Sequence, residues 1–223
     1  MRHYKRLEEK AAQLEAVLLE LYPESRCALE YDGDAWRLLV MGILSAQCTD
    51  VRVNEVSKKL FSAYPTVFDM AIADVTEVER IIRPCGLFRA KAGNIRASAV
   101  LICETFGGNV PDTMEDLLTL PGVGRKIANL VLGDVFNKGG IVADTHCIRI
   151  CGRLGFYPDD KKDPLLCERT MEQYVERSNQ SDLCHRLVNF GRDRCRARGP
   201  LCDGCPAAFL CDSAIKTKKI KNC

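Results

Sequence analysis

Apolar residues recur every three or four positions along most of the chain, which predicts amphipathic helices. Near the N-terminus, Leu7, Ala11, Leu14, Leu18 and Leu21 mark one face of a first helix. Runs in which apolar and polar residues alternate, the pattern of a half-buried strand, are nearly absent. The sequence therefore predicts an all-α fold.

Start and stop signals divide the rest of the chain into further helices. Asp50 and Asp144 are candidate N-caps, and Pro84, Gly107 and Gly155 end helices. The predicted spans are 35–47, 50–64, 75–83, 91–107, 114–120, 125–136, 144–155, 163–178 and 183–195. No repeat of fixed period and no low-complexity linker interrupts them.

Composition is that of a globular protein. The chain has 223 residues, 47% of them hydrophobic and 28% charged, enough for one domain or two small ones. No apolar run reaches the length of a membrane span, and charges continue through the N-terminus, unlike a signal peptide. We expect a cytoplasmic protein, nucleoid-associated if bacterial, with no membrane partner.

Charge is informative only locally. The formal net charge of +2 indicates no particular partner. Two basic segments, 192–198 and 216–221, lie near the C-terminus. Each is either a contact for an acidic partner or a solvated surface, and a solvated tail is the favoured interpretation of 216–221.

The 13 cysteines do not resemble a disulfide framework, because their number is odd and nine are scattered. We expect the scattered ones to be small hydrophobic residues in a reducing compartment. They are Cys27, Cys48, Cys85, Cys103, Cys147, Cys151, Cys167, Cys184 and Cys223. The histidines, at positions 3, 146 and 185, are too dispersed to suggest a metal site.

The other four cysteines are close together in the sequence and predict a metal centre. They are Cys195, Cys202, Cys205 and Cys211. Their spacing suits either structural zinc or a 4Fe–4S cluster, and the residues alone do not choose between them. Arg196 and Arg198 lie between the first two ligands, where they either contact phosphate or balance the charge of the thiolates.

The segment "LPGVGRKIA" (120–128) predicts a hairpin between two helices. Gly122 and Gly124 flank Val123, and Arg125 follows at the start of a helix. Backbone amides at such a helix N-terminus bind an anion such as a DNA phosphate. The alternative is a plain turn.

Lys126 and Asp144 are the candidate catalytic residues. The helix N-terminus, the adjacent Arg125 and partial burial would favour the neutral amine of Lys126, which could then attack a sugar carbon and form a Schiff base. The residues alone favour the alternative, a surface lysine that holds a phosphate. Asp144 follows 18 residues later and is either a structural N-cap or a carboxylate that stabilises positive charge on the sugar or accepts a proton.

Four motifs in order resemble endonuclease III, the iron–sulfur, helix-hairpin-helix family of DNA glycosylases and abasic-site lyases. They are "ILSAQCTDVRVNEVSKKLF" (43–61), "LPGVGRKIAN", "ADTHCIRICGRLG" and the cysteine-rich tail. The resemblance implies two helical domains. Residues 28–138 would form a six-helix barrel that contains the hairpin, and residues 1–27 with 139–223 would form the cluster domain.

The resemblance also implies roles for single residues. Lys126 would be the Schiff-base nucleophile and Asp144 the catalytic carboxylate, while the four tail cysteines would hold a 4Fe–4S cluster. Gln47 would enter the duplex where the damaged base has left, and Leu87 would act as a wedge on the opposite strand. Further DNA contacts would come from Gly122, Val123, Gly124, Arg125, Arg196 and Arg198.

The implied activity is bifunctional removal of oxidised or ring-saturated pyrimidines from duplex DNA, followed by β-elimination. The partner would be double-stranded DNA with damaged bases or abasic sites, and we expect a monomer. Ile127, Ala143 and Asn189-Phe190 depart from the family pattern, which leaves the substrate range open. The alternatives are a monofunctional glycosylase, a non-catalytic iron–sulfur DNA-binding protein and a zinc-stabilised module.

Overall fold

A computed structural model describes residues 2–214, with side chains from residue 5 onwards. The described part of the chain is helical and contains no strand, which confirms the all-α prediction. Of the helices in this range, none is both long and apolar enough to cross a membrane. The basic segment 216–221 and Cys223 lie outside the described residues.

Eleven α-helices follow one another along the described chain. They are α1 (Arg2–Leu21), α2 (Ala35–Leu44), α3 (Asp50–Ala63), α4 (Val67–Ala71), α5 (Val75–Ile82), α6 (Phe88–Phe106), α7 (Met114–Leu117), α8 (Arg125–Asp134), α9 (Thr145–Leu154), α10 (Pro164–Tyr174) and α11 (Gln180–Asp193). Single 3₁₀ turns occupy Arg83–Cys85, Arg177–Asn179 and Ala208–Leu210.

Local capping explains where the sequence predictions were wrong. The N-cap of α3 is Thr49, whose hydroxyl accepts from the Arg52 amide, so Asp50 is the first helical residue and not the cap. Helix α4 was missed because its five residues are too few for a periodic pattern. A reciprocal capping box between Thr66 and Asp69 starts it instead.

The described chain divides into two compact units, and the first is Cys27–Asn137. Its longest helix, α6, packs against α4, α5 and α2, and α2 also packs against α8. Helices α2 and α8 approach closely at Gly42, where a Cβ would lie 2.9 Å from Cγ2 of Ile127. That proximity explains why a glycine interrupts the apolar α2.

The second unit combines Met1–Arg26 with Lys138–Cys223. Helix α1 buries Leu7, Ala11, Leu14 and Leu18 and packs against α10 and α11. Helix α9 packs against the same two helices. The unit boundaries lie one residue from the predicted 28–138 division, while the barrel and cluster assignments of the two domains stay predictions.

Candidate functional site

The turn between α7 and α8 requires glycine at position 122. The φ of Gly122 is +80°, and a Cβ there would lie 2.8 Å from Nδ2 of Asn94 on α6. The buried Ser98 hydroxyl, also on α6, donates to the Pro121 carbonyl at 2.8 Å. Helix α6 therefore holds the turn from beneath.

Val123 and Gly124, the next two residues of the turn, differ in whether a ligand could reach them. The Val123 side chain is buried and its amide donates to the Leu120 carbonyl at 3.1 Å, so neither group is directed to a ligand. Gly124 is the N-cap of α8 without a side-chain cap, and nothing lies within 4 Å of the place where its Cβ would be. An anion would approach this open first turn of α8 rather than Val123.

Lys126 is the second residue of α8 and its side chain is exposed. The expected partial burial is therefore wrong. Lys126 does lie at a helix N-terminus beside the cation Arg125, as predicted. Both side chains are exposed, so the predicted low-dielectric surroundings of the Lys126 amine are absent. Exposure leaves the amine accessible to a sugar carbon.

Asp144 is the N-cap of α9, and one of its carboxylate oxygens accepts from the amides of His146 and Cys147 at 2.8 and 2.7 Å. The cap interpretation is thereby confirmed, and the half-buried carboxylate is held in one orientation. Lys126 belongs to the unit Cys27–Asn137 and Asp144 to the other unit. Their cooperation stays a prediction.

Gln47 and Leu87 share an unusual backbone conformation. Both side chains are exposed, and their φ angles are 53° and 48°, in the left-handed region. The other described non-glycine residues with positive φ are Asp32 and Asn137, types that adopt this conformation more readily. Strain of this kind clusters at functional sites.

Lys91, in the first turns of α6, was missed by the sequence analysis. Its ammonium is buried and donates to three backbone carbonyls from the segments that carry Gln47 and Leu87. A lysine in an otherwise apolar helix face is the only sequence signal for such a residue, and it does not reveal the partners.

The tail cysteines surround one cavity of about 150 Å³ that all four line, together with Arg153 and Leu201. Their burial ranges from half-buried to exposed at Cys202. The Arg153 guanidinium donates to Cys195 Sγ at 3.3 Å and to the carbonyls of Arg196 and Ala197 at 2.8 and 3.1 Å. Four thiols around a common space, with a cation at one sulfur, fit a metal cluster. Arg196 and Arg198 are exposed on the same loop.

The spacing of these sulfurs bears on which metal fits. Four thiolates on one zinc ion, each about 2.3 Å from it, lie within about 4 Å of one another. Among the described residues, no three tail cysteines have their sulfurs all within 4.8 Å of one another. In this structure the tail thiols are therefore not arranged as four ligands around a single ion.

A second cysteine group lies in the core, where Cys147, Cys151 and Cys167 have all their sulfurs within 4.8 Å. Hydrogen bonding with Cys151, Cys167 and Cys184, together with burial, raises the pKa of Cys147 well above its usual range. Hydrogen bonds from Cys147 and Cys151 lower the pKa of Cys167, while burial and the nearby Glu168 carboxyl oppose its ionisation. Sequence analysis treated these residues separately and did not foresee the group.

Comparison with known proteins defines the class first. The family model described as the HhH-GPD superfamily base excision DNA repair protein matches residues 40–177. This is a class of helix-hairpin-helix DNA repair proteins, and the hairpin between α7 and α8 lies within the matched range.

Individual relatives narrow the class. An endonuclease III from Synechocystis sp. is 42% identical over 207 residues, which cover 92% of this chain and 93% of that protein. A solved non-covalent endonuclease III–DNA complex has a TM-score of 0.87 at 35% identity and covers 95% of this chain and 98% of that one. A trapped endonuclease III–DNA covalent intermediate has the same TM-score and coverage at 36% identity. The chain therefore belongs to the endonuclease III family, the DNA glycosylases and AP lyases of base excision repair.

Proposed function

We propose that this chain removes oxidised or ring-saturated pyrimidines from duplex DNA and then cuts the strand at the resulting sugar through a Schiff base on Lys126. The main observation in support is that the Lys126 amine is exposed in the first turn of α8, next to the hairpin that contains Gly122 and Gly124. A similar endonuclease III has been trapped as a covalent intermediate with DNA, which supports a nucleophile of this kind.

The hairpin explains why cations occupy the positive end of a helix. Exposed amides in the first turn of α8 attract a DNA phosphate, and that phosphate offsets the charges of Arg125 and Lys126. One phosphate held here would bring a neighbouring sugar towards the Lys126 amine. Binding of DNA through such phosphate contacts should weaken as the salt concentration rises. Because the net charge is only +2, we expect this dependence to be less steep than for a strongly basic protein.

The proposed chemistry proceeds in two stages. The nitrogen lone pair of Lys126 attacks C1′ of the damaged nucleoside, and the base leaves with the electron pair of the glycosidic bond. The nitrogen gives up one proton, directly or through Asp144, and the departed base takes up a proton. The C1′–O4′ bond then breaks, O4′ takes up a proton from water, and the nitrogen lone pair completes the protonated Schiff base. Loss of a proton from C2′ then expels the 3′ phosphate by β-elimination, and water releases Lys126 from the cleaved sugar.

Asp144 would assist the first stage. Its carboxylate is held by two backbone amides, and an anion in this orientation can stabilise positive charge on the sugar or accept a proton from the attacking amine. The cap and the catalytic roles are compatible because a carboxylate accepts several hydrogen bonds at once.

The cofactor proposal is a 4Fe–4S cluster held by Cys195, Cys202, Cys205 and Cys211. Its support is the cavity that all four cysteines line; among the described residues no three of their sulfurs are as close together as one zinc ion would hold them. When bound, the cluster would supply structure to the loop that carries the exposed Arg196 and Arg198, which would contact the DNA backbone. We propose that the protein works as a monomer.

Borohydride trapping on a duplex with one thymine glycol tests the nucleophile. Wild type should give a reduced covalent adduct, and Lys126→Ala and the charge-preserving Lys126→Arg should give none. Lys59→Ala, which removes an exposed lysine of α3, serves as the control and should trap like wild type. A folded wild type that excises the base without an adduct would replace the proposal with a monofunctional glycosylase.

Asp144→Asn separates the cap from the catalytic role. Asparagine caps helices as well as aspartate, so the unfolding midpoint should change little. If the charge acts in catalysis, single-turnover base excision should fall by about 10²- to 10⁴-fold. An unchanged excision rate would reduce Asp144 to a structural cap.

A further inference from the structure

Two strained loops of the unit Cys27–Asn137 meet at one buried cation. The segment after α2 carries Gln47, and the segment before α6 carries Leu87. Both residues are exposed and have left-handed φ angles that glutamine and leucine seldom adopt. Residues keep such a conformation only where their surroundings enforce it.

The Lys91 side chain contacts both segments. Only 4% of the residue is exposed, and its ammonium donates to the carbonyls of Leu44, Ala46 and Cys85, each at 2.8 Å. An ammonium has three donors, so this one is fully used. Ala46 directly precedes Gln47, and Cys85 lies two residues before Leu87.

The acceptors explain why a lysine suits this position. Leu44 is the last residue of α2, where carbonyls lack partners within the helix. The positive charge also lies at the negative end of the α2 dipole. The Lys91 backbone amide donates to the Leu87 carbonyl at 3.1 Å, so the same residue holds the second loop through its main chain as well.

We infer that Lys91 is a positioning residue, which fixes Gln47 and Leu87 in the geometry with which they enter the duplex. The inference rests on the proposed function for the roles of those two side chains. Without the ammonium, three backbone carbonyls, two of them in buried hydrogen bonds, lose their donor, and both loops are free to relax towards ordinary backbone angles. The consequence is slower base extrusion with the Lys126 chemistry intact.

A comparison of two substrates tests the inference. Lys91→Met keeps the length of the side chain and removes the donors. On a duplex with thymine glycol, single-turnover excision should fall by about 10- to 100-fold, the range that small misplacements cause. Cleavage of a duplex with a preformed abasic site, which has no base to extrude, should fall much less. Equal losses on both substrates would overturn the inference.

A mutant cycle identifies the route of the effect. In a Gln47→Ala/Leu87→Ala background, Lys91→Met should slow excision by less than about twofold, because its effect passes through residues that are already gone. A full additional loss would mean that Lys91 serves only the fold. Ile102→Ala, a fully buried change near the other end of α6, is the stability control and should preserve the ratio of the two activities.

A fluorescent base separates this inference from the proposed function. 2-Aminopurine opposite the lesion should brighten when wild type binds, because the bases unstack, and should brighten less with Lys91→Met. The fluorescence change does not depend on a Schiff base. It can therefore test the role of Lys91 even if borohydride trapping gives no adduct. Lys91→Gln, which retains two donors, replaces Lys91→Met if the latter does not fold, and an unchanged signal in the folded variant would contradict the inference.

Discussion

Two cysteine groups of the same unit differ in spacing and surroundings, and the proposed function assigns the cluster to only one of them. The core group, Cys147, Cys151 and Cys167, is tighter and fully buried. The tail group is wider, surrounds a cavity of about 150 Å³ and has the Arg153 guanidinium at one of its sulfurs. A cavity and a neighbouring cation distinguish the tail group, so we expect the cluster there and expect the core thiols only to fill volume.

The largest contrast should come from removing one cysteine of each group. Cys205→Ala should abolish visible absorbance and bound iron, because three thiolates cannot complete the cluster. Cys147→Ala should retain both. Iron and acid-labile sulfide per chain are the measurements, and iron that persists in Cys205→Ala but disappears in Cys147→Ala would move the cluster to the core.

Arg153 should matter next. Arg153→Met removes the donor to Cys195 Sγ and the bonds that shape the loop at Arg196 and Ala197. Loss of such a supporting residue costs about 10- to 100-fold in metal affinity. We expect the absorbance to decay correspondingly faster in air or with a chelator. Arg169→Met, on α10 and away from the tail loop in sequence, is the control, and equal decay in both variants would refute the role.

The core group should show a smaller effect, limited to stability. Cys147→Ala removes a fully packed sulfur, and the free energy of unfolding should fall by about 1–2 kcal/mol. Denaturant unfolding of protein with its cluster intact provides the measurement. A gain in stability on substitution would mean that the close sulfurs repel rather than pack.

The last effect should be absent at neutral pH and appear only as a loss of stability at alkaline pH. Burial, and then the neighbouring Cys48, raise the pKa of Cys85 to about 12, while an unfolded thiol ionises near 9.0. Between these values the unfolded chain releases a proton that the folded chain retains, so stability is complete below the unfolded pKa and decreases as pH rises. The slope should approach about 1.4 kcal/mol per pH unit for this thiol.

Unfolding at about pH 8, 9 and 10 measures this slope. In Cys85→Ala, the free energy of unfolding should decrease less steeply with pH, because the contribution of one thiol to the slope is removed. The tail cysteines should add little while the cluster is bound, because they are then already thiolates. A wild-type stability that rises over this interval would contradict the assigned burial.

Much of the proposed catalytic and metal site could be predicted from local sequence. The hairpin, Lys126 and the four tail cysteines each lie within one short segment, so spacing alone brings their groups together. The burial of Lys126 could not be predicted, because the surroundings of a side chain depend on distant segments. The left-handed Gln47 and Leu87 carried no signal either, since neither is glycine, asparagine or aspartate.

The sequence by itself determined the helices and their class, because a 3.6-residue period and caps such as Asp144 act within a few positions of each other. It also determined the cysteine spacing of the tail. Only the tertiary structure decided that Lys91 joins carbonyls 45 and 47 residues away, and that Cys167 joins Cys147 and Cys151 from another helix. These contacts depend on how helices pack, and packing is fixed by the whole core rather than by any one segment.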